Sequence, residues 1–283
     1  MSEIPADLRS QVASALREDV GTGDVTALLV PATQKVRGRV ITREDALLCG
    51  CPWVDETFRQ LDTNIRLTWH ASDGERIVSD QVLFEIEGPA RAVLTGERTA
   101  LNFLQLLSAT ATAARRFVDA VAGTGCVILD TRKTLPGLRT AQKYAVRVSG
   151  AQNYRIGLYD MVLIKENHIA AAGSLSGAIA SARQVAPKIP VEVEVESLAE
   201  FEEALAARPD IIMLDEFSQA DMRTAVALNR AQGRPLKIEA SGSVSLETVR
   251  AVAETGVDYI SIGSITKHVR AIDLSMRLEF SGA

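Results

Sequence analysis

The chain has 283 residues, which is long for one domain of ordinary size and allows one large domain or two unequal ones. Apolar residues make up 47% and charged residues 24% of the chain, proportions typical of a globular protein with a substantial core. A net charge of −5 excludes a general attraction to nucleic acid, so any basic surface must be local.

The first part of the chain mixes helical and strand-like patterns in irregular order. Residues 5–18 have the apolar spacing of an amphipathic helix, and residues 35–42, 65–70 and 82–87 alternate as short strands do. A longer helix is predicted from about residue 95 to residue 121, where apolar residues recur on one face. We therefore expect an α/β domain that ends near residue 110.

A regular rhythm begins after residue 120 and favours a parallel sheet. Strand-like segments alternate with helical ones, and Ser197 and Ser218 are predicted helix N-caps, each followed by a first-turn carboxylate. Repeating strand–helix units indicate a parallel sheet, either open or closed into a barrel. The predicted strands are residues 126–131, 160–165, 191–196, 210–216, 236–241 and 258–264.

Polar or ionisable residues follow each of these strands. The carboxyl ends of parallel strands meet at one edge, where (β/α) barrels carry their active sites, so this edge is the candidate site. Arg132, Lys133 and Lys165 end two of the strands, and their cationic groups suit carboxylate or phosphate ligands. Lys143 and Arg147, which lie in the same basic stretch four residues apart, are expected on a solvated helix face.

The segment VEVEVE (191–196) is informative about the sheet. Its valines share one face, and Glu192, Glu194 and Glu196 share the other. In a barrel the valines would pack on outer helices and the glutamates would point inward, where carboxylates must be paired, hydrogen-bonded, metal-bound or neutral. The alternative is an edge strand with one solvated face.

Small residues follow the last two predicted strands. Ser241-Gly242-Ser243 and Gly263-Ser264 would let backbone N–H groups approach a phosphate, although ordinary turns have the same composition. Lys165 by itself also suits a Schiff-base aldolase, so the residues alone leave two kinds of enzyme open.

The sequence carries no pattern for export, membrane insertion or zinc binding. Cys49, Cys51 and Cys126 are odd in number and lack zinc spacing, so reduced thiols are expected. The polar N-terminal segment predicts no signal peptide, and no run of 18 apolar residues predicts a membrane span. We expect a cytoplasmic protein with neither nucleic acid nor membrane as a partner.

Nine short segments, in order over nearly the whole chain, carry a family pattern. They are EDVGTGDVT (18–26), GERTALNFLQ (96–105), DTRKTLPGLR (130–139), KYAVRVSGAQNYR (143–155), LIKENHI (163–169), VEVEVE (191–196), IMLDE (212–216), EASGSV (239–244) and ISIGSITKH (260–268). Together they resemble the quinolinate phosphoribosyltransferase family, for which DTRKT and IKENH are specific.

The resemblance implies a type II phosphoribosyltransferase fold of the α/β class. Residues 1–110 would form an N-terminal α/β sandwich, joined by the C-terminal segment 269–283. Residues 111–268 would form an incomplete, seven-stranded α/β barrel. The resemblance also implies a homo-oligomer, a dimer or hexamer, in which Arg98 completes the active site of a neighbouring subunit.

The implied reaction transfers the phosphoribosyl group of phosphoribosyl pyrophosphate to quinolinate. Nicotinate mononucleotide, pyrophosphate and carbon dioxide would be released, with Mg²⁺ required, as a step of NAD biosynthesis. A carboxylate near the anomeric carbon would stabilise its oxocarbenium-like transition state, as in glycosidases. Residues 241–243 and 262–264 would form the cradle for the 5′-phosphate.

The functional positions of the family carry over to matching residues. Arg132, Arg155 and Lys165 would bind the pyridine dicarboxylate, and Glu194 and Asp215 would serve the ribose hydroxyls and magnesium. The implied catalytic residues are Lys133, Lys165, Glu194 and Asp215. The other implied substrate-binding residues are Arg98, Thr131, Lys133, Tyr154, Ser241, Gly242, Ser243, Ile262, Gly263 and Ser264.

Two residues depart from the family pattern G-G-x-x-N-H-R. Ser149 replaces a glycine, and Tyr154 replaces a histidine, which unlike tyrosine can carry a positive charge near neutral pH. These departures leave open a paralogue that acts on another pyridine or azine carboxylate, including one that resembles the ModD proteins of molybdate operons. A degraded binding or regulatory homologue is disfavoured, because the cationic and acidic set is retained.

Overall fold

The structure is a computed structural model that describes residues 3–233 and 235–280. The helices in chain order are α1 (Leu8–Val20), α2 (Cys51–Leu61), α3 (Ala90–Ala120), α4 (Arg139–Val148), α5 (Glu166–Ala172), α6 (Leu175–Val185), α7 (Leu198–Ala207), α8 (Gln219–Arg230), α9 (Val249–Ala253) and α10 (Ser264–Lys267), with a 3₁₀ turn at Ala27–Leu29. The strands are β1 (Lys35–Thr42), β2 (Ala46–Leu47), β3 (Arg66–Trp69), β4 (Arg76–Ile77), β5 (Val82–Pro89), β6 (Val127–Leu129), β7 (Val162–Ile164), β8 (Val191–Val195), β9 (Ile211–Asp215), β10 (Lys237–Ser241), β11 (Tyr259–Ser261) and β12 (Leu274–Phe280).

The chain divides into two compact units. The first contains Met1–Arg115, Thr134–Gly150 and Ile265–Ala283, and the second contains Arg116–Lys133 and Ala151–Ser264. These bounds differ from the division expected from the resemblance, because α4 and the residues just after Ser264 pack with the first unit. Residues 281–283 of the expected C-terminal segment lie outside the described residues.

The first unit is built on an antiparallel sheet with the strand order β12-β1-β5-β3, beside the small pair β2-β4. Apolar residues of the sheet, including Val40 and Phe84, form a core with Phe58 of α2 and Leu104 of α3. The helix α3 begins at Ala90 rather than near residue 95. Pro89 ends β5 just before it, and the good helix formers that follow extend the helix toward its N-terminus.

The second unit is built on a parallel sheet with the strand order β6-β11-β10-β9-β8-β7. Gln152 adds an isolated parallel bridge to Leu129 beyond β6. Within the described residues this sheet therefore has six strands, one fewer than the seven that the resemblance implied, because the chain at Gln152 pairs with Leu129 through a single bridge only. Ser197 and Ser218 accept hydrogen bonds from backbone N–H groups of the first turns of α7 and α8, which confirms both N-caps.

The strand β8 lies inside the parallel sheet, between β7 and β9. Its valines are buried, and Glu192 on the opposite face is also fully buried. This arrangement excludes the edge strand with a solvated face and confirms that Glu192 points inward. Glu196 lies beyond the end of β8, is exposed, and donates its backbone N–H to Glu200 at 2.8 Å.

The basic stretch between Arg132 and Lys165 is divided between the units. Arg139, Lys143 and Arg147 lie on α4 in the first unit. The expectation that Lys143 lies on a solvated face is wrong, because α4 is buried from Ala141 to Val146 and Lys143 has no exposed surface. Arg147 is half-buried and donates a hydrogen bond to the Glu3 carbonyl.

The three cysteines are free thiols, of which Cys51 is half-buried and the others are buried. Burial is the main cause that raises the thiol pKa of Cys49, Cys51 and Cys126, so all three thiols are held in the protonated form. Across the described part of the chain, no helix combines the length and apolar character needed to cross a bilayer.

Candidate active site

The implied site residues lie in the second unit at the carboxyl ends of its strands, with the exception of Arg98. Thr131, Arg132 and Lys133 follow β6, and Tyr154 and Arg155 follow the bridge at Gln152. Lys165 follows β7, Glu194 lies in β8, and Asp215 is the last residue of β9. Ser241 ends β10 and is followed by Gly242 and Ser243, while residues 262–264 follow β11. Parallel strands of one sheet have their carboxyl ends at one edge, so residues distant in sequence share that edge.

Asp130, the first residue of the DTRKT motif, joins two of the loops at this edge, a role that the sequence predictions did not assign to it. Its side chain is fully buried, and its carboxylate accepts hydrogen bonds from Asn153 Nδ2 (2.7 Å) and the Tyr154 backbone N–H (2.8 Å). A buried carboxylate needs such donors. The contact holds the segments that carry Arg132 and Arg155 beside each other. The sequence signals for this role are its place in DTRKT and its position directly after an apolar strand.

Lys133 lies against the loop that follows β11. A Cβ atom placed on Gly263 would lie 3.0 Å from Lys133 Cδ and 3.6 Å from Thr131 Oγ1. The Lys133 backbone N–H donates to Thr131 Oγ1 at 3.0 Å. Glycine at position 263 therefore permits a close approach that a side chain would disturb. The loop that carries Arg132 and Lys133 therefore lies against residues 262–264, which are part of the implied cradle for the 5′-phosphate.

Lys165 and Glu194 form an ion pair at the ends of neighbouring strands. Lys165 Nζ donates to Glu194 Oε2, and the Glu194 side chain is only 9% exposed. The ammonium group supplies the counter-charge that a nearly buried carboxylate requires. The Lys165 backbone N–H donates to His168 Nδ1 at 3.0 Å, so His168 satisfies a backbone group at the start of α5.

Glu194 and Asp215 lie on the same face of neighbouring strands. Glu194 is in register with Met213, two residues before Asp215, so the two carboxylates are diagonal neighbours. Mg²⁺ is commonly held by one or two carboxylates together with water and substrate phosphates, which this pair fits. No group of three or more His, Cys, Asp or Glu within residues 3–233 and 235–280 is arranged to hold a metal ion. A magnesium ion bound here would therefore need substrate oxygens as further ligands.

Two buried glutamates form a carboxyl pair on the inner face of the sheet. Glu192 of β8 and Glu239 of β10 have no exposed surface. Burial, and then the negative charge of Glu192, raises the pKa of Glu239 well above its usual value. Burial also raises the pKa of Glu192, against a hydrogen bond from Tyr154 that lowers it. Burial and the repulsion between two like charges therefore both favour the protonated form of this pair.

The role of Glu239 is absent from the sequence predictions, although a signal for it exists. Glu239 lies two residues before Ser241 on β10, so both residues face the same side of the sheet. A glutamate on the inner face of a buried strand requires a partner. Among the described residues neither Glu239 carboxyl oxygen has a hydrogen-bond partner in good geometry, and the charge that acts on it is that of Glu192 on β8, with β9 between the two strands.

Tyr154 is directed toward this carboxyl pair. Its hydroxyl donates to Glu192 Oε2 at 2.5 Å, and its ring is 8% exposed. Burial is the main cause that raises the pKa of the Tyr154 hydroxyl, which keeps it a neutral donor. The guanidinium carbon of Arg155 lies 5.8 Å from the Tyr154 ring centre, and Arg155 Nη1 donates to the Met161 carbonyl. Tyr154 is thus a buried neighbour of the cation Arg155.

We expect Tyr154→Phe to lower the free energy of unfolding by about 1–3 kcal/mol, because Glu192 Oε2 loses a buried donor. Chemical denaturation at neutral pH would measure the change. Tyr159→Phe is the matched control, since Tyr159 is 74% exposed and the loss of its hydroxyl should have little effect. Equal stabilities of the two variants would contradict the assigned role of the Tyr154 hydroxyl.

Glu216 lies on the other part of the implied phosphate cradle. Ser243 Oγ donates to Glu216 Oε1 at 2.8 Å, and the Glu216 backbone N–H donates to the Ser241 carbonyl at 3.2 Å. A Cβ atom on Gly242, whose φ is +123°, would lie 2.7 Å from Glu216 Cδ. Glu216 itself has a φ of +51°, which is uncommon for a residue other than glycine. An acidic side chain therefore covers a loop that the resemblance assigns to phosphate.

Arg98 lies on an exposed face of α3 in the first unit. It lines a cavity of about 270 Å³ together with Asp24 and Thr95. Thr95 Oγ1 donates to Asp24 Oδ2 at 2.8 Å, and a hydrogen bond from the Ala27 backbone N–H lowers the Asp24 pKa. The Arg98 side chain forms no ion pair with any other residue that the structure describes.

Both parts of the chain match models of one protein family. Residues 24–108 match the N-terminal domain of quinolinate phosphoribosyl transferase, and residues 110–277 match its C-terminal domain. The chain is 42% identical over 277 residues to the carboxylating nicotinate-nucleotide pyrophosphorylase of Mycobacterium leprae, with 95% of this chain and 96% of the relative covered. It is 41% identical over 265 residues to a probable enzyme of the same name from Bacillus subtilis, with 93% and 91% covered.

A solved structure agrees with these sequence matches. The nicotinate-nucleotide pyrophosphorylase from Francisella tularensis superposes on this chain with a TM-score of 0.93. The two sequences are 44% identical, and the superposition covers 98% of each chain. The similarity therefore extends over both compact units.

Proposed function

The chain belongs to the quinolinate phosphoribosyltransferase family, and on this basis we propose that it converts quinolinate and phosphoribosyl pyrophosphate to nicotinate mononucleotide, pyrophosphate and carbon dioxide for NAD biosynthesis. The observation that carries the proposal is the strand edge at which Arg132, Arg155 and Lys165 lie with Glu194 and Asp215. The free thiols support a cytoplasmic location.

The charge of the two substrates explains the cations at this edge. Quinolinate is a dicarboxylate, and the sugar substrate carries a phosphate and a diphosphate. Arg132 and Arg155 can hold carboxylates through paired N–H donors, and Lys165 adds a point charge. These cations offset the repulsion that would otherwise separate two anionic reactants.

The chemistry requires positioning and charge stabilisation rather than a nucleophilic side chain. The pyridine nitrogen attacks the anomeric carbon as the bond to the diphosphate breaks, and Glu194 and Asp215 stabilise the positive charge that develops on the sugar. The ring nitrogen then carries a positive charge, so the ring accepts the electron pair of the adjacent carbon–carboxylate bond. Carbon dioxide leaves, and a proton takes its place on the ring.

Magnesium is part of the proposal. Glu194 and Asp215 would hold the ion together with substrate oxygens. Bound there, the metal would neutralise charge on the departing diphosphate. Lys165 forms an ion pair with Glu194 at the same strand edge, so its charge lies beside the proposed metal ligand.

The two departures from the family pattern are compatible with quinolinate as the acceptor. The Tyr154 hydroxyl donates to Glu192, and the Ser149 hydroxyl donates to the Val146 carbonyl at 2.6 Å. Both side chains are buried and satisfy these hydrogen bonds inside the protein. Neither observation calls for a different pyridine acid.

A direct assay tests the proposed reaction. Purified protein, Mg²⁺, phosphoribosyl pyrophosphate and quinolinate should yield pyrophosphate and carbon dioxide in equal amounts. Nicotinate in place of quinolinate is the control acceptor, because it lacks the carboxylate that is lost. Pyrophosphate release without carbon dioxide, or no turnover with quinolinate, would reject the proposal.

We further propose a homo-oligomer in which Arg98 of one subunit completes the site of its neighbour. The exposed position of Arg98 on α3, without an ion pair to another described residue, supports this role. A cation at this position would add a further donor for the dicarboxylate. Sedimentation analysis would determine whether the assembly is a dimer or a hexamer.

Mixing two inactive variants tests this sharing. Arg98→Ala and Lys165→Ala are each expected to be nearly inactive alone. After the subunits of the two variants are exchanged, about a quarter of the sites should combine an intact Arg98 with an intact Lys165. Steady-state assays would measure the recovery, with each variant exchanged with itself as the control. No recovery after demonstrated exchange would place Arg98 in the site of its own subunit.

A further inference from the structure

Glu216 is an acidic residue in a place where the proposed function needs affinity for a phosphate. We propose that the Glu216 carboxylate competes with the 5′-phosphate of phosphoribosyl pyrophosphate for the loop 241–243, so that Glu216 sets the affinity of the enzyme for this substrate. The inference rests on the proposed function, which assigns this loop to the 5′-phosphate.

The contacts of Glu216 are those that a bound anion would make on this loop. Its Oε1 accepts the Ser243 hydroxyl hydrogen at 2.8 Å. Both carboxylate oxygens would lie within 3.0 Å of a Cβ atom placed on Gly242, so the group packs directly on the glycine backbone. The absence of a side chain at Gly242 therefore admits a carboxylate of this chain to the face that a phosphate would approach.

Two anions cannot occupy this face together. A phosphate on the loop would need the Ser243 donor that Glu216 holds, and repulsion between like charges would oppose its approach. Across the described residues no ion pair offsets the charge of Glu216. Binding of the phosphate therefore requires the Glu216 side chain to leave the loop.

The exchange needs only a rotation of one side chain. Glu216 is exposed, so its carboxylate can be transferred to water without the cost of opening a packed core. Its backbone is held separately by the hydrogen bond from its N–H group to the Ser241 carbonyl. Because the carboxylate is exposed, solvent and salt screen the repulsion, and we expect an effect of moderate size.

A supporting role for Glu216 makes the opposite prediction. If its contact with Ser243 held the loop ready to receive phosphate, removal of the carboxylate would weaken binding of the sugar phosphate. Under competition, the same removal strengthens binding. The sign of the change in affinity therefore separates the two roles.

Glu216→Gln removes the charge and keeps the length of the side chain. Glu216→Asn also shortens it and suits the left-handed backbone at this position. Each variant is expected to bind ribose 5-phosphate about three- to tenfold more tightly than the parent enzyme, as measured by titration calorimetry. The KM for phosphoribosyl pyrophosphate should fall similarly, while the KM for quinolinate stays unchanged.

Glu202→Gln is the matched control, because Glu202 is an exposed glutamate of α7 and its substitution changes the net charge equally. Unchanged or weaker binding of ribose 5-phosphate by both folded Glu216 variants would overturn the inference. Tighter binding by Glu202→Gln of the same size would also overturn it, since net charge alone would then explain the effect. Calorimetry needs no turnover, so failure of the quinolinate assay would reject the proposed function without deciding the role of Glu216.

Discussion

Lys165→Ala is expected to lower kcat/KM for quinolinate by about 10²- to 10³-fold, a loss comparable with removal of one transition-state donor from an enzyme. The variant loses a cation proposed to bind the dicarboxylate. It also leaves Glu194, whose side chain is 9% exposed, without its counter-charge. Glu194 would also lose the ammonium group that holds its Oε2 in place, and would be less well positioned to stabilise the charge on the sugar. Initial rates over a range of quinolinate concentrations would measure the effect.

Two other lysine variants give this experiment its controls. Lys188→Ala changes an exposed lysine of the same unit and should leave kcat/KM unchanged. Lys165→Arg keeps the charge but alters its shape, so a partial loss is expected. An effect of Lys165→Ala below tenfold would show that neither the substrate nor Glu194 depends on this ammonium group.

Glu239→Gln is expected to make the folded protein more stable at about pH 8, by about 1–4 kcal/mol, because a neutral amide replaces a buried acid. Burial and the neighbouring Glu192 raise the pKa of Glu239 in the folded state. Below about pH 4.5 the acid is protonated in both the folded and the unfolded chain and carries no penalty. As the pH rises toward the folded pKa, the unfolded chain releases this proton more readily, and the parent protein loses stability.

The difference in unfolding free energy between the parent and Glu239→Gln isolates this acid from the other titrating groups. That difference should change progressively in favour of the variant between about pH 5 and pH 8. Denaturant titrations at several pH values would measure it, with Glu202→Gln as an exposed control that should show no such trend. A difference independent of pH would mean that Glu239 titrates alike in the folded and unfolded chains.

The strand edge was predictable because strand ends are a local property of the sequence. A polar residue lies at or directly after the end of each parallel strand, and the family motifs contain these polar residues. The inward direction of Glu192 also followed from strict alternation along β8. Strand lengths were less predictable: β6, β7 and β11 have three residues each, whereas the predicted strands at 126–131, 160–165 and 258–264 also took in flanking residues that form no ladder.

Features that depend on contacts between distant segments were not predictable from the sequence alone. The spacing of Lys143 suits a solvated helix face, but tertiary packing buries α4. The pattern of β10 shows that Glu239 faces inward, but it does not show that Glu192 of β8 lies on the same face with only β9 between them. The contact of Glu216 with Gly242 and Ser243 likewise depends on how two loops meet after different strands.

The pairing of β1 with β12 has a consequence for how the protein is made. β1 begins at Lys35, and its antiparallel partner β12 begins at Leu274, so almost the whole chain is synthesised between them. During translation, the edge of β1 that later receives β12 is without its partner while the second unit emerges from the ribosome. Contacts so distant in sequence form slowly, and an exposed strand edge favours aggregation until they form. We therefore expect the antiparallel sheet to be completed only after synthesis of the parallel one.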